Sequence, residues 1–281
     1  MCERDEFHRD ERVRLSRRGF GTMAGAAGVA MLWQGSAVRA QDVTGSDVEI
    51  VTPDGTADAY FVHPGGNAPG VVMWPDIFGL RPAFRAMADR LAGAGYAVLV
   101  VNPFYRDAKG MVVRDGEEMS AAIDRLRPYA SHLTPAAVTS DAIAFTAWLD
   151  DQPAVDTGRR IGAVGFCMSG SYTIRAAAAL PERVGAGASF HGGGLATDAP
   201  DSPHLLAPET QARFLFAIAQ NDDAKDPQAK TRLAEAFGNR AEVEVYPADH
   251  GWVPPDGARH DEVQAERAWA RMLALFGGAL A

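Results

Sequence analysis

Cys167 is the residue whose neighbours point most directly to chemistry. It stands in the segment GFCMSG, residues 165–170, after an apolar run that predicts a strand and before a predicted helix over about 169–180. A nucleophile elbow has the pattern Gly-x-nucleophile-x-Gly at such a junction, because the sharp turn leaves room only for small neighbours. Gly165 meets this requirement, and Ser169 meets it approximately.

A cysteine in this turn would have three properties of a nucleophile. We expect the thiol to stand clear of the sheet, the helix N-terminus to lower its pKa, and the N–H of Met168 to face the oxyanion of an attacked carbonyl. The alternative is a buried structural cysteine, a frequent place for this residue type. The residues further along the chain favour the nucleophile.

A carboxylate and a base follow Cys167 in the chain order nucleophile, acid, histidine that a nucleophile elbow uses. Asp222 and Asp223 come directly after one predicted strand, with Asp226 close behind, and His250 follows the next strand. Ligand chemistry in open α/β sheets gathers at the carboxyl ends of the strands, so we expect these loops to converge on the thiol. Spacing alone does not separate the three aspartates.

His191 is a further candidate, because it follows a predicted strand in the segment FHGGG, residues 190–194. It would either line the site or pack within its own loop. Asp249, beside His250, is interpreted as a solvated loop charge. The remaining histidines have no strand end in a favourable place before them: His8, His63, His132, His204 and His260.

The elements that must position these residues are short apolar runs alternating with helical patterns from residue 48 onward. Continuously apolar strands suit a sheet covered on both faces, so the pattern predicts an α/β fold with a mostly parallel central sheet and helices on both faces. The turn signal at 53–55 predicts an antiparallel edge pair. Thr134 and Pro135 predict the start of a helix. No linker divides residues 41–281, which we interpret as one domain.

Residues 1–40 have a different composition and resemble an export signal. A charged opening leads to the segment SRRGF, residues 16–20, then to a weakly apolar run and a cleavage pattern ending at Ala40. The paired arginines are typical of twin-arginine export, which predicts a periplasmic or secreted protein. An amphipathic surface helix or a disordered tail is the alternative. Cleavage would remove Cys2 and leave one thiol, so no internal disulfide could form.

Composition excludes several classes of protein. The formal charge of -9 argues against nucleic acid or an anionic membrane surface as the main partner. Two cysteines cannot form a disulfide framework, and no Cys/His cluster has the spacing of a zinc site. No run reaches the roughly 18 apolar residues of a membrane span. We expect no metal, no cofactor, a small-molecule substrate, and a monomer or weak dimer.

Taken in order, the motifs resemble those of the dienelactone hydrolase family, which has the α/β-hydrolase fold. They are WPDIFGL at 74–80, NPFYR at 102–106, GFCMSG at 165–170, the stretch 221–227 and YPADHG at 246–251. The resemblance implies a triad of Cys167, His250 and Asp222. Asp222 is favoured over Asp223 because the family pattern has Asn-Asp followed by Pro five residues later.

The same resemblance assigns the surroundings of the thiol. It places Asp76 where the family has a glutamate near the nucleophile, and the N–H of Ile77 in the oxyanion hole together with that of Met168. The two arginines that bind a substrate carboxylate in the family correspond here to Pro254 and Asp107. Dienelactone itself is therefore not the expected substrate. The residues expected to line the substrate pocket are Asp76, Tyr105, Arg106, His191 and Trp252.

The sequence thus predicts an exported carboxylic ester or lactone hydrolase that works through an acyl-enzyme on Cys167. Two other hypotheses stay open. In the first, Cys167 is a redox-active or peroxide-reactive thiol. In the second, the chain is a noncatalytic binding member of the fold.

Overall fold

The computed structural model describes residues 42–114 and 116–281. The predicted export signal, residues 1–40, lies outside the described residues. The described part forms an eight-stranded sheet in the order β1-β2-β4-β3-β5-β6-β7-β8. The strands are β1 Thr44–Thr52, β2 Gly55–His63, β3 Gly70–Trp74, β4 Ala97–Val101, β5 Ile161–Phe166, β6 Val184–Phe190, β7 Arg213–Ala219 and β8 Ala241–Tyr246.

The sheet is parallel from β4 to β8, and only β1 and β2 run antiparallel to their neighbours. β1 and β2 form the predicted edge hairpin. The predicted mostly parallel sheet is confirmed. Strands β3 to β6 are buried along their whole length, as their continuous apolar sequences require.

Helices cover both faces of the sheet, as predicted. Those described are α1 Pro82–Gly93, α2 Met119–Ser131, α3 Pro135–Asp150, α4 Tyr172–Ala179, α5 Gln220–Lys225, α6 Ala229–Phe237 and α7 Glu262–Ala279. α1 and α7 pack on one face, and α2, α3, α4 and α6 pack on the other. None of the helices in residues 42–114 and 116–281 has the length and apolar character that a membrane crossing requires.

Two local details position the site and were not predicted. The helix expected from residue 169 is preceded by a 3₁₀ helix, Cys167–Ser171, and α4 begins only at Tyr172. Asp222, expected in a loop, lies in the short helix α5 directly after β7. The N-terminus of α3 is as predicted, since the Thr134 hydroxyl accepts the N–H of Ala137.

Candidate active site

Cys167 occupies a strained turn at the carboxyl end of β5. Its φ of 56° lies in the left-handed region, which non-glycine residues rarely adopt. A Cβ on Gly165 would lie 2.2 Å from the carbonyl oxygen of Ser169, so only glycine fits there. The Ser169 hydroxyl accepts the N–H of Phe166 at 2.9 Å and donates to the carbonyl of Trp74 at 2.7 Å. This serine therefore ties the elbow to β3, which explains why it can replace the second glycine of the pattern.

The thiol, the imidazole and a carboxylate lie in one line of contacts. Nε2 of His250 is 3.1 Å from Sγ of Cys167, and Nδ1 of His250 is 2.6 Å from Oδ2 of Asp222. The backbone N–H of His250 donates to Oδ1 of Asn221 at 2.8 Å, which fixes the loop after β8 against α5. The three strand ends converge as the parallel topology requires.

The other two aspartates of this stretch have different surroundings. Oδ2 of Asp223 lies 2.8 Å from the Lys230 ammonium, and Asp226 is exposed. The geometry therefore singles out Asp222 as the carboxylate that contacts the imidazole. In such an arrangement, a carboxylate at Nδ1 holds the imidazole with Nε2 directed at the thiol and stabilises an imidazolium.

Ile77 and Met168, whose backbone N–H groups are expected in the oxyanion hole, line the same cavity as Cys167. Ile77 follows β3. The next two N–H groups of its turn donate to Asp76, that of Phe78 to the carboxylate and that of Gly79 to the carbonyl, and the N–H of Ile77 has no acceptor in the described part of the chain. Met168 lies in the first turn of the 3₁₀ helix, where N–H groups have no intrahelical partner. Both residues line the cavity, and the place of their N–H groups in an oxyanion hole stays a prediction.

The thiol opens into a cavity of about 660 Å³. Apolar and aromatic side chains form part of its wall, among them Tyr172 and Pro203. Three cationic side chains also line it: Arg127 from α2, Arg175 from α4 and Lys225 from α5. The guanidinium of Arg175 donates to the carbonyl of Asp201 at 2.8 Å, and burial lowers its pKa. Two carboxylate side chains, those of Asp201 and Asp222, line the cavity as well, so its wall combines apolar surface with three cationic and two anionic groups.

Sequence reasoning missed these cavity residues. Tyr172 and Arg175 follow the nucleophile by five and eight residues, so their place at the start of the helix after the elbow was a usable signal. Burial raises the pKa of Tyr172, and the nearby Cys167 raises it further. Arg127 had no comparable signal, because α2 reaches the cavity only through its tertiary packing.

His191 packs against the imidazole of His250 and is not among the residues that line this cavity. Its ring centroid is 5.0 Å from that of His250, with the planes at 61°. Its φ is 41°, and it is buried with no hydrogen-bond partner for either ring nitrogen among the described residues. Burial, followed by the nearby His250, lowers the pKa of His191 well below its usual value. A neutral ring is therefore packed against His250.

Tyr105 and Arg106, also expected in the substrate pocket, are not among the residues that line this cavity. The Tyr105 hydroxyl contacts Thr52 at 2.8 Å and donates to Asp141 at 2.7 Å. Arg106 forms two hydrogen bonds of 2.8 Å with Asp141 and also pairs with Asp54. The carboxylate of Asp141 is fully buried, so it needs these hydrogen-bond donors. The side chains of Tyr105 and Arg106 are therefore directed at Asp141 rather than into the cavity.

Asp76 and Trp252 are the other two residues expected in the substrate pocket. Asp76 is buried in an ion pair with Arg81, its Oδ1 lying 2.6 Å from Nη1. Trp252 is fully buried and stacks on Tyr246, with centroids 4.8 Å apart. Neither lines the cavity. Sequence position placed both residues near the thiol, but each side chain is engaged by a residue five or six positions away, Asp76 by Arg81 and Trp252 by Tyr246.

Within residues 42–114 and 116–281, no group of three or more His, Cys, Asp or Glu residues is arranged to hold a metal ion.

Comparison with known proteins gives a consistent result. The model of the dienelactone hydrolase family matches residues 57–280. The chain is similar to a carboxymethylenebutenolidase of Rhodococcus opacus, with 27% identity over 224 residues that cover 75% of this chain and 81% of the relative.

Solved structures show the same fold. A dienelactone hydrolase-like promiscuous phosphotriesterase from metagenomic libraries has a TM-score of 0.69 at 23% identity, covering 85% of this chain and 99% of its own. The dienelactone hydrolase of Anabaena variabilis has a TM-score of 0.62 at 20% identity with the same coverage.

Proposed function

The chain belongs to the dienelactone hydrolase family and is a hydrolase of ester or lactone bonds, and we propose that it works through a Cys167–His250–Asp222 triad and an acyl-enzyme. The observation that carries the proposal is the line of contacts from Sγ to Nε2 at 3.1 Å and from Nδ1 to Oδ2 at 2.6 Å. It joins a nucleophile, a base and an orienting group in the order that acyl transfer requires.

Acylation begins when the Cys167 thiol transfers its proton to Nε2 of His250. The thiolate attacks the carbonyl carbon, and the N–H groups of Ile77 and Met168 hold the negative oxygen. When the tetrahedral intermediate collapses, the bond to the alcohol oxygen breaks and that oxygen takes the proton from the imidazolium. In a lactone the alcohol stays attached to the acyl group.

Deacylation reverses the roles of the same groups. His250 accepts a proton from water, and the hydroxide attacks the thioester carbonyl at the same oxyanion site. The carbon–sulfur bond breaks, the acid leaves, and the proton on Nε2 returns to the thiolate. Asp222 keeps its contact with Nδ1 in both half-reactions and stabilises each imidazolium.

The cationic side chains in the cavity, three against the two carboxylates of Asp201 and Asp222, support esters or lactones that carry an anionic group. Arg127 from α2 and Arg175 from α4 supply positive charge to the cavity. They do so from other sequence positions than the two family arginines, which correspond here to Asp107 and Pro254. The relative's name denotes a butenolide with a carboxymethylene group. We expect Arg175→Gln to raise KM for a carboxylate-bearing ester about tenfold while changing KM for its neutral analogue little, because one charge-assisted hydrogen bond is lost.

The triad is tested with the chain beginning at Gln41 and an activated aryl ester. Wild-type protein is expected to release one equivalent of phenol in a burst and to gain the acyl mass on Cys167, whereas Cys167→Ala should show neither. A circular dichroism spectrum matching that of wild type would show that the variant folds. Full turnover by Cys167→Ala would overturn the proposal. So would stoichiometric consumption of peroxide by wild type with no cleavage of any ester or lactone.

We further propose export through the twin-arginine route, on the basis of residues 16–20 and the pattern before Gln41. Replacing both Arg17 and Arg18 by lysine should leave the uncleaved chain in the cytoplasm. Arg14→Lys is the matched control and should be exported. Export of the double variant at the wild-type level would contradict the proposal.

A further inference from the structure

A buried guanidinium joins two loops of the active site. Arg81 directs Nη1 and Nη2 at the carboxylate of Asp76, at 2.6 and 3.0 Å, and directs Nε and Nη2 at the carboxylate of Asp256, at 2.7 and 3.0 Å. The side chain of Arg81 is 6% exposed, and those of Asp76 and Asp256 are 8% and 24% exposed. Two bidentate pairs on one guanidinium make a specific geometry that a lysine cannot reproduce.

The two carboxylates belong to the loops that carry the proposed oxyanion donor and the base. Asp76 immediately precedes Ile77, and it closes the turn by accepting the N–H groups of Phe78 and Gly79. Asp256 lies six residues after His250, in the segment between β8 and α7. Arg81 itself precedes α1, which packs on the sheet. The guanidinium therefore links three segments of the active-site edge.

The electrostatic environment keeps this link intact. Burial opposes the positive charge, but the carboxylates of Asp76 and Asp256 raise the pKa of Arg81 above its usual value. The guanidinium also lies over the Phe84 ring, 4.7 Å from its centroid. Removing one partner would leave charge uncompensated in a mostly buried site, which is costly.

We propose that Arg81 is a positioning residue for the hydrolysis, a role that rests on the proposed function: it holds the turn bearing the Ile77 N–H in register with the loop bearing His250. The oxyanion donor and the base must face the same carbonyl, one at its oxygen and the other at the attacking sulfur. A displacement of about 1 Å in such a group can cost about a hundredfold in rate.

The contact between thiol and imidazole has its own supports. The backbone of His250 donates to Asn221, and its ring contacts Asp222, so neither contact passes through Arg81. Loosening the Arg81 link should therefore displace the oxyanion turn more than it displaces His250. Ester acylation, which needs the oxyanion donor, should respond differently from alkylation of the thiol by iodoacetamide, which forms no oxyanion.

The test uses Asp256→Ala, which removes one arm of the link and leaves the pair between Arg81 and Asp76. We expect kcat/KM for an aryl ester to fall about tenfold to a hundredfold. The rate of alkylation of Cys167 and its pH profile should stay within about twofold of wild type, because they report the thiolate. Glu266→Ala is the matched control and should change neither rate, since Glu266 forms an exposed bidentate pair with Arg90 of α1.

A second variant guards against misfolding. Arg81→Lys keeps the charge and loses the fork, and it should show the same division between acylation and alkylation. If wild type hydrolyses the ester, unchanged ester kinetics in Asp256→Ala would overturn the positioning role of Arg81 but not the proposed function. Equal losses in acylation and alkylation would also overturn it, because they would indicate damage to the triad. No turnover of any ester by wild type would overturn the proposed function, and with it this role.

Discussion

Replacing Asp222 by asparagine tests the assignment of the triad acid. The carboxylate lies 2.6 Å from Nδ1 of His250, with the two side chains 23% and 13% exposed. Asparagine has nearly the same shape but no charge. It also offers an N–H donor, which would favour the imidazole tautomer with its proton on Nε2. That tautomer cannot accept the proton of the Cys167 thiol.

The expected loss follows from the charge. Two unit charges about 4 Å apart, a separation typical of the centres of such a pair, attract by about 4 kcal/mol at an effective dielectric constant of about 20. This attraction stabilises the imidazolium that forms during acylation. Because about 1.4 kcal/mol corresponds to a factor of ten in rate, kcat/KM should fall about a thousandfold. The comparable substitution in serine proteases costs about ten-thousandfold in kcat.

The matched control is the adjacent aspartate. Asp223→Asn makes the same chemical change one residue away, where the carboxylate pairs with Lys230 rather than His250. We expect kcat/KM to stay within about threefold of wild type and the melting temperature to fall by a few degrees at most. Initial rates with an aryl ester from pH 5 to 9, together with thermal melts, measure both quantities.

Two results would refute this reasoning. The first is a smaller loss of kcat/KM in Asp222→Asn than in Asp223→Asn, because it would indicate that Asp223 is the triad acid. The second is an Asp222→Asn variant that keeps the pH profile of wild type and loses less than about tenfold in kcat/KM. The Coulomb attraction at this distance would then contribute little.

Three further predictions concern the surroundings of the triad. Gly165→Ala should lower the free energy of unfolding by at least about 1–3 kcal/mol and reduce kcat, because its Cβ would clash with the Ser169 carbonyl at 2.2 Å. Arg106→Gln should lower the free energy of unfolding by about 3–5 kcal/mol with KM unchanged, because it leaves a buried carboxylate without its cation. His191→Gln should remove an acid sensitivity. The folded-state pKa of His191 is lowered, so at acidic pH the unfolded chain binds a proton that the folded chain does not. At pH values below about 6.5, the free energy of unfolding of wild type should therefore decrease more steeply than that of the variant, by up to about 1.4 kcal/mol per pH unit.

Denaturant unfolding and initial rates check these three outcomes. Gly93→Ala is the control for Gly165→Ala, because its Cβ would meet nothing within 4 Å at the end of α1, and its stability should change by less than about 1 kcal/mol. A higher KM in Arg106→Gln would indicate that Arg106 binds the substrate. Parallel pH dependence of stability in wild type and His191→Gln would contradict the neutral buried imidazole.

The fold was predictable because its signals are local. Continuous apolar runs identify buried parallel strands, and the turn at 53–55 identifies the edge hairpin. The triad candidates were predictable for a related reason: Cys167, Asp222 and His250 each closely follow a strand, and parallel strands bring their carboxyl ends to one edge. The choice of Asp222 over Asp223 came from the family pattern, since the spacing of the residues alone leaves it open.

The pocket around the triad was much less predictable. Arg106 lies beside a position that binds substrate in the family, yet its guanidinium turns towards Asp141, a carboxylate that α3 buries completely. Asp76 is held by Arg81, and His191 packs against His250 and does not line the cavity. In each case the partner that decides the side-chain direction lies outside the motif itself, and no periodicity reports it.

The sequence by itself determined the order of the strands along the chain, the small residues that the elbow requires and the three strand ends that carry thiol, acid and base. These follow from backbone sterics and local apolar patterns. Only the tertiary structure decided which charged groups face the cavity and which are consumed in buried pairs. A buried charge must find its partner wherever the fold places one, so Arg175 is left to the cavity while Arg81 and Arg106 are directed into the protein.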